Sequence, residues 1–321
     1  MDGDENVTLT LMVILSAVSF LSEPVRKVDM RIFVALIVLA AVTVFHSVYV
    51  VCLSSVRNAF IGICAMRAIA EHYDMNMRKT GLILLAGFVL NYVFIGLQML
   101  GKDLIYWPAF MEVAGVSGRP WILGCAVAIS APFVVAMNSL FFAAVIPLLW
   151  FSKSSVCFAV GSMACLYVMS KRSFWIGAAA SCIAFPIYLM GENFDHNRIE
   201  VWTRGYAHFQ DKFLGRGLGT WAHSAFIHQG GPGQEWVPWV WAHNEFYQQF
   251  FEQGAVGLIL MVAAAAFVLL CSKGKAAKAS MCAIIALSMV HPILHFGKLT
   301  LLAVFVMAIC LAQGKNNVSR I

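Results

Sequence analysis

Histidine, arginine and tryptophan crowd one stretch of this chain. Residues 191–253 hold five of its nine histidines (His196, His208, His223, His228, His243) and five of its nine tryptophans (Trp202, Trp221, Trp236, Trp239, Trp241). An imidazole with an ordinary pKa of about 6.5 is mostly neutral at pH 7 and can take a proton from an attacking hydroxyl. A guanidinium stays charged and grips phosphate through two parallel hydrogen bonds. The stretch carries Arg198 with Trp202 four residues on, then the turn sequence Gly215-Arg216-Gly217-Leu218-Gly219, and near its end His243-Asn244. It has four Lys and Arg against seven Asp and Glu, so an anion there must be held by placed side chains and not by a general positive field.

Other chemistries find less footing. The Gly215–Gly219 sequence lacks the Lys-Ser/Thr ending of a nucleotide-binding loop and reads as a turn. The only Asp-x-Asp is Asp2-Gly3-Asp4, and all nine cysteines sit inside apolar blocks with no Cys-x-x-Cys pair, so neither a metal site nor a disulfide framework is expected. His291 and His295 share the spacing of a helical metal pair, but Pro292 lies between them and no carboxylate is near in sequence, which points to a structural or lumenal role. No nucleophilic Ser or Cys pattern is present. The Trp236–Trp241 run fits sugar stacking and membrane-interface anchoring equally well.

The elements that must position these residues are membrane helices. Of 321 residues 61% are hydrophobic and 12% charged, with a mean hydropathy of +0.80, whereas soluble domains are about one quarter charged. The +6 net charge is spread in twos and threes between apolar blocks, a pattern of topology signals, so nucleic-acid binding is excluded. A crossing helix needs about 20 apolar residues. Blocks meeting that pattern lie at 32–53, 80–100 and 254–271, with further candidates at 7–21, 59–70, 174–190, 281–297 and 299–313. The stretch 121–170 carries one charge, Lys153, and is too long for one crossing; Pro132, Asn138 and Pro147 divide it into three.

The expected fold is therefore an all-α integral membrane protein of about 11 transmembrane helices with one large outer loop. It falls into an N-terminal bundle of about eight spans (1–190), the loop (191–253), and C-terminal helices with a short tail (254–321). Twelve of the 22 basic residues fall in loops that place the C-terminus inside, and five (Arg57, Lys102, Arg119, Lys153, Lys298) fall in short outer loops. The acidic start, Asp2 to Glu5, has the wrong sign for a cleaved signal peptide, so the first block is read as a retained span with the N-terminus outside.

Arg198 and Trp202, a short helix, the Gly215-x-Gly217-x-Gly219 turn, His243-Asn244, an amphipathic segment and Gly254 with Gly257 together resemble the O-antigen ligase and polymerase superfamily of bacterial membrane glycosyltransferases. The likeness covers residues 118–271. Upstream, Arg119 resembles the family's Arg-containing segment without its usual Asn-Pro-Asn, and Lys153 stands where an Arg is common.

The resemblance implies a GT-C-like fold in the bacterial inner membrane with a periplasmic site. A polyprenyl-diphosphate-linked glycan would be the donor and a sugar hydroxyl the acceptor. That acceptor is the lipid A core for a ligase, or a carrier-linked repeat for an O-antigen or exopolysaccharide polymerase. His243 and Arg198 are the implied catalytic residues, His243 as base or, protonated, as a diphosphate ligand. Arg119, Lys153, Arg204, Asn244 and Trp202 are the implied diphosphate- and substrate-binding residues. No cofactor or metal is expected, and the implied reaction is a direct displacement with inversion. Ligase is taken ahead of polymerase; a polytopic transporter or lipid flippase is the rival from another class, although no inverted repeat is visible.

Overall fold

The computed structural model describes residues 77–102, 117, 119–170, 196–207, 211–217, 219–221, 228–229, 237–238 and 242–318. The spans expected at 7–21, 32–53, 59–70 and 174–190 lie outside these residues. Among the described residues the regular structure is helical apart from one two-residue antiparallel pairing, β1 (His228–Gln229) with β2 (Val237–Pro238), inside the large loop. The chain divides into two compact units.

In one unit, α1 (Met77–Met99) and α2 (Pro120–Met137) are followed by a 3-10 turn (Ser139–Phe141), α3 (Phe142–Phe151) and α4 (Ser155–Met169). Their apolar runs and lack of internal charge make them helices for burial or lipid. α2 is the centre: Leu123, Ile129, Phe133 and Val134 are fully buried. α1 instead turns Leu82, Ile83, Val89, Leu90 and Val93 outward. Such a surface costs about 25 cal/mol per Å² in water, and a bilayer removes that cost. Tyr92 donates to the Ala144 carbonyl, tying α1 to α3.

The expected three-way division of 121–170 holds, but its break points move. Asn138 is extended and ends α2, as expected, and its Oδ1 accepts from Leu140 N at 3.0 Å to start the next turn. Pro132 and Pro147 sit inside α2 and α3 and break neither. Proline removes one hydrogen bond, and a helix packed or embedded on all sides can carry that loss. The second break is Ser152–Ser154, where Lys153 takes a left-handed φ of 50° and Ser154 caps α4 through Cys157 N.

The same unit takes in the end of α6 (Glu245–Cys271), α7 (Lys275–Ser288) and the end of α8 (Gly297–Val318). Small side chains let α7 lie close on α4 at Ala164, Ala279 and Ala283. Gln313 Oε1 accepts from Lys273 N and Gly274 N, both at 2.9 Å, closing the α6–α7 turn. A single span over 281–297 is not formed. The helix stops at Ser288, and Pro292, which has no N–H to continue it, precedes a 3-10 turn at Ile293–His295.

Among the described residues three helices, α1, α2 and α6, are long and apolar enough to cross a membrane. α6 also exposes Ile259, Leu260, Val262, Phe267 and Leu270 along its second half. The chain is a helical membrane protein.

The other unit holds α5 (His196–Ala207), the loop residues after it, α6 as far as Phe267, and 288–304. Its core is Val201, Trp221, Ala242 and Phe251 with Tyr247 packed against them. Trp221 stands edge-on to Phe251 and Tyr247, with centroids 5.1 and 5.8 Å apart.

Candidate functional site

The site grows from a kink. At Gly254 the backbone of α6 takes φ 62° and ψ −161°, so residues 245–253 form a separate first segment. The loop segment 211–217 docks on that kink: Arg216 N donates to Phe251 O at 3.1 Å, Gly217 N to Glu252 O at 2.7 Å, and Ala255 N to Lys212 O at 2.9 Å. A Cβ on Gly254 would lie 2.3 Å from the Phe213 carbonyl oxygen, and one on Gly215 would lie 2.5 Å from the Glu252 backbone. Both glycines also have positive φ, which side-chain-bearing residues adopt at a cost.

The turn that follows is a cradle of N–H groups, and the protein itself fills it. The buried carboxylate of Glu252 accepts from Gly219 N at 2.7 Å through Oε2, and from Trp221 N at 3.3 Å through Oε1. The reading of this sequence as a turn and not a phosphate loop agrees with that arrangement.

The segment 245–253 is amphipathic, as expected, but its covered face is polar. Glu245, Gln248 and Glu252 are buried beside Phe251. Gln248 Nε2 donates to Glu252 Oε1 at 3.1 Å, and Gln248 Oε1 accepts from Ala242 N at 3.1 Å. Glu245 reaches the 3-10 turn: Oε1 accepts from Leu294 N at 2.7 Å, and Oε2 lies 2.9 Å from His295 Nδ1. Gln248 Nε2 also lies 3.0 Å from His295 Nε2. Partial desolvation alone would lower the His295 pKa; the Glu245 charge and hydrogen bond, joined by the Glu252 charge, outweigh it and raise the pKa above the ordinary histidine value.

His243 sits at the head of this assembly with φ 54°, a left-handed conformation that costs a non-glycine residue about 1 kcal/mol. Both its neighbours are pinned. Before it, Ala242 donates to Gln248 and its carbonyl accepts from Trp202 Nε1 at 2.6 Å. After it, Asn244 caps α6, its Oδ1 accepting from Tyr247 N at 3.0 Å. Tyr247 in turn donates its hydroxyl to the Trp202 carbonyl. The His243 Nδ1 is shielded from solvent. A strained residue held by its surroundings is a recurrent feature of functional sites.

One unit thus brings together His243, Asn244 and Trp202, with Arg204 exposed in the last turn of the same helix as Trp202. Trp202 and Asn244 are engaged in holding the His243 backbone. Arg198 lies in the first turn of α5, described by its backbone alone. Arg119 and Lys153 belong to the other unit. There, Cys157 Sγ lies 3.9 Å from the Trp121 carbonyl and 3.6 Å from Cys125 Sγ, so the N-terminal ends of α2 and α4 are side by side. Arg119, just before α2, and Lys153, just before α4, therefore occur at the same end of their unit.

Sequence reasoning missed Glu245, Gln248, Glu252 and His295. The first three recur at i, i+3 and i+7, which puts polar groups on one helical face and could have been read as a buried network. Nothing in the sequence joins His295 to them. The conclusion that no carboxylate lies near His295 is corrected in space: Glu245 comes to it from fifty residues away. No protein-family model matches this chain, and no curated protein matches it by sequence.

Proposed function

We propose that the protein is a glycosyltransferase of the O-antigen ligase and polymerase type. It would lie in the bacterial inner membrane with about 11 spans, its N-terminus and site on the periplasmic side and its C-terminus in the cytoplasm. The observation that carries the reading is His243, held in a left-handed conformation between two pinned neighbours, at the head of a segment that leads into a membrane-length helix.

In the proposed step the acceptor hydroxyl oxygen attacks the anomeric carbon of the donor glycan. The bond from that carbon to the diphosphate oxygen breaks, with inversion, and the hydroxyl proton passes to His243. The polyprenyl diphosphate leaves carrying the bonding electron pair. Arg198 and Arg204 supply positive charge that a diphosphate leaving group needs, in place of a metal ion, and the resemblance gives Arg119 and Lys153 of the other unit the same role. Trp202 and Asn244 keep the imidazole in place, the second of them by capping the helix behind it.

Ligase is the reading taken forward, with lipid A core sugar as acceptor. Lengthening of carrier-linked repeats by the purified protein would instead assign polymerase. The test is transfer from a polyprenyl-diphosphate oligosaccharide with His243→Ala beside the wild type.

A further inference from the structure

The hydrogen bonds around Gln248 admit only one orientation of its amide. Ala242 N–H can only donate, so it must face the amide oxygen, and this turns the amide NH₂ towards Glu252 Oε1, an oxygen that also accepts from Trp221 N. The second NH₂ hydrogen is then left for His295 Nε2, 3.0 Å away, which must offer a lone pair. On the far side of the ring, Nδ1 is 2.9 Å from the Glu245 carboxylate and must carry the proton. Every group is satisfied when His295 is neutral and protonated on Nδ1 alone.

A second proton changes the parity. Nε2–H would confront the amide NH₂, two donors face to face. Relief requires the amide to turn over, which takes its oxygen from Ala242, or the two side chains to separate, which draws Gln248 away. Either way the residue before His243 loses its hold.

We propose that His295 is a positioning residue for His243: the lone pair of its neutral Nε2 sets the Gln248 amide, the amide sets Ala242, and a second proton on His295 releases that setting. The proposal rests on the reading of His243 as the residue that serves transfer. Among the described residues the charged groups acting on His295 are Glu245 and Glu252 of α6, both favouring the second proton; on its own segment His291 and Lys298 lie four and three residues away. The carboxylates favour the second proton and the Gln248 donor opposes it; the release occurs as pH falls, and transfer is lost on that acid limb.

The test uses the full chain in lipid nanodiscs over pH 5.5 to 9.5 with two readouts. One is transfer from a polyprenyl-diphosphate oligosaccharide. The other is hydrogen-exchange protection of the peptide containing Ala242, corrected for the intrinsic pH dependence of exchange. In the wild type, protection should fall by about ten-fold or more as pH drops, the scale of one buried hydrogen bond, and transfer should fall with it. His295→Gln offers an acceptor at every pH and should flatten the protection profile, leaving in transfer only the acid limb that His243 sets as base; Glu245→Gln should move the protection limb to lower pH. Protection that ignores pH in the wild type, or a protection limb that survives in His295→Gln, overturns the proposal. Should the wild type transfer nothing at any pH while protection responds as stated, the transferase reading falls and the coupling of His295 to Ala242 stands.

Discussion

His243 bears a backbone strain that a neutral scaffold would have shed, and that sets its test. Glycine tolerates φ 54° freely, so His243→Gly should leave the thermal midpoint unchanged or raised while transfer falls by about 100-fold or more. Retained activity in that variant would make the residue a turn former only. Lys153 has a parallel test on the other unit: Lys153→Arg should keep transfer and Lys153→Ala should lose it, because a cation and not a lysine is what the leaving diphosphate requires. The legible residues were those whose type is tied to backbone or charge, namely His243, Asn244 and the glycines. Trp202 was legible as a residue of the site, but the bond from its indole N–H to the Ala242 carbonyl was not.

At the scale of elements, the docking of the loop segment 211–217 on the Gly254 kink is the joint that holds the candidate site. Gly254→Ala would drive a Cβ into a backbone carbonyl at 2.3 Å at a positive φ, so its thermal midpoint should fall well below that of Gly87→Ala, where an added Cβ meets open space. Glu252→Ala should be costly for another reason: Gly219 N and Trp221 N lose their acceptor inside the core, at about 1–3 kcal/mol for each buried orphan. Equal midpoints for Glu252→Ala and wild type in thermal unfolding would contradict this. Helix existence was readable from apolar length, and the break at Asn138 from its residue type. The breaks at Ser152–Ser154 and after Ser288 were not, because proline inside a packed helix and proline ending one look alike in sequence. The polar face of 245–253 was hidden by its setting, an ion-pair partner supplied by a turn fifty residues on.

For the whole molecule, the proposed function requires the large loop to lie outside the membrane and an anion to be held by side chains. A cysteine introduced at Glu235 in intact cells should react with a membrane-impermeant maleimide, and protection there would reverse the orientation. Under the proposed function, in which arginine and lysine would meet the charge on the leaving diphosphate, transfer should persist in EDTA; strict metal dependence would remove the arginine reading. The most direct measurement is transfer by the purified protein from a polyprenyl-diphosphate oligosaccharide, with lipid A core and carrier-linked repeat offered separately and His243→Ala run beside the wild type. Product on lipid A core that disappears in His243→Ala is the predicted result. No product on either acceptor, or product undiminished in His243→Ala, would contradict the account.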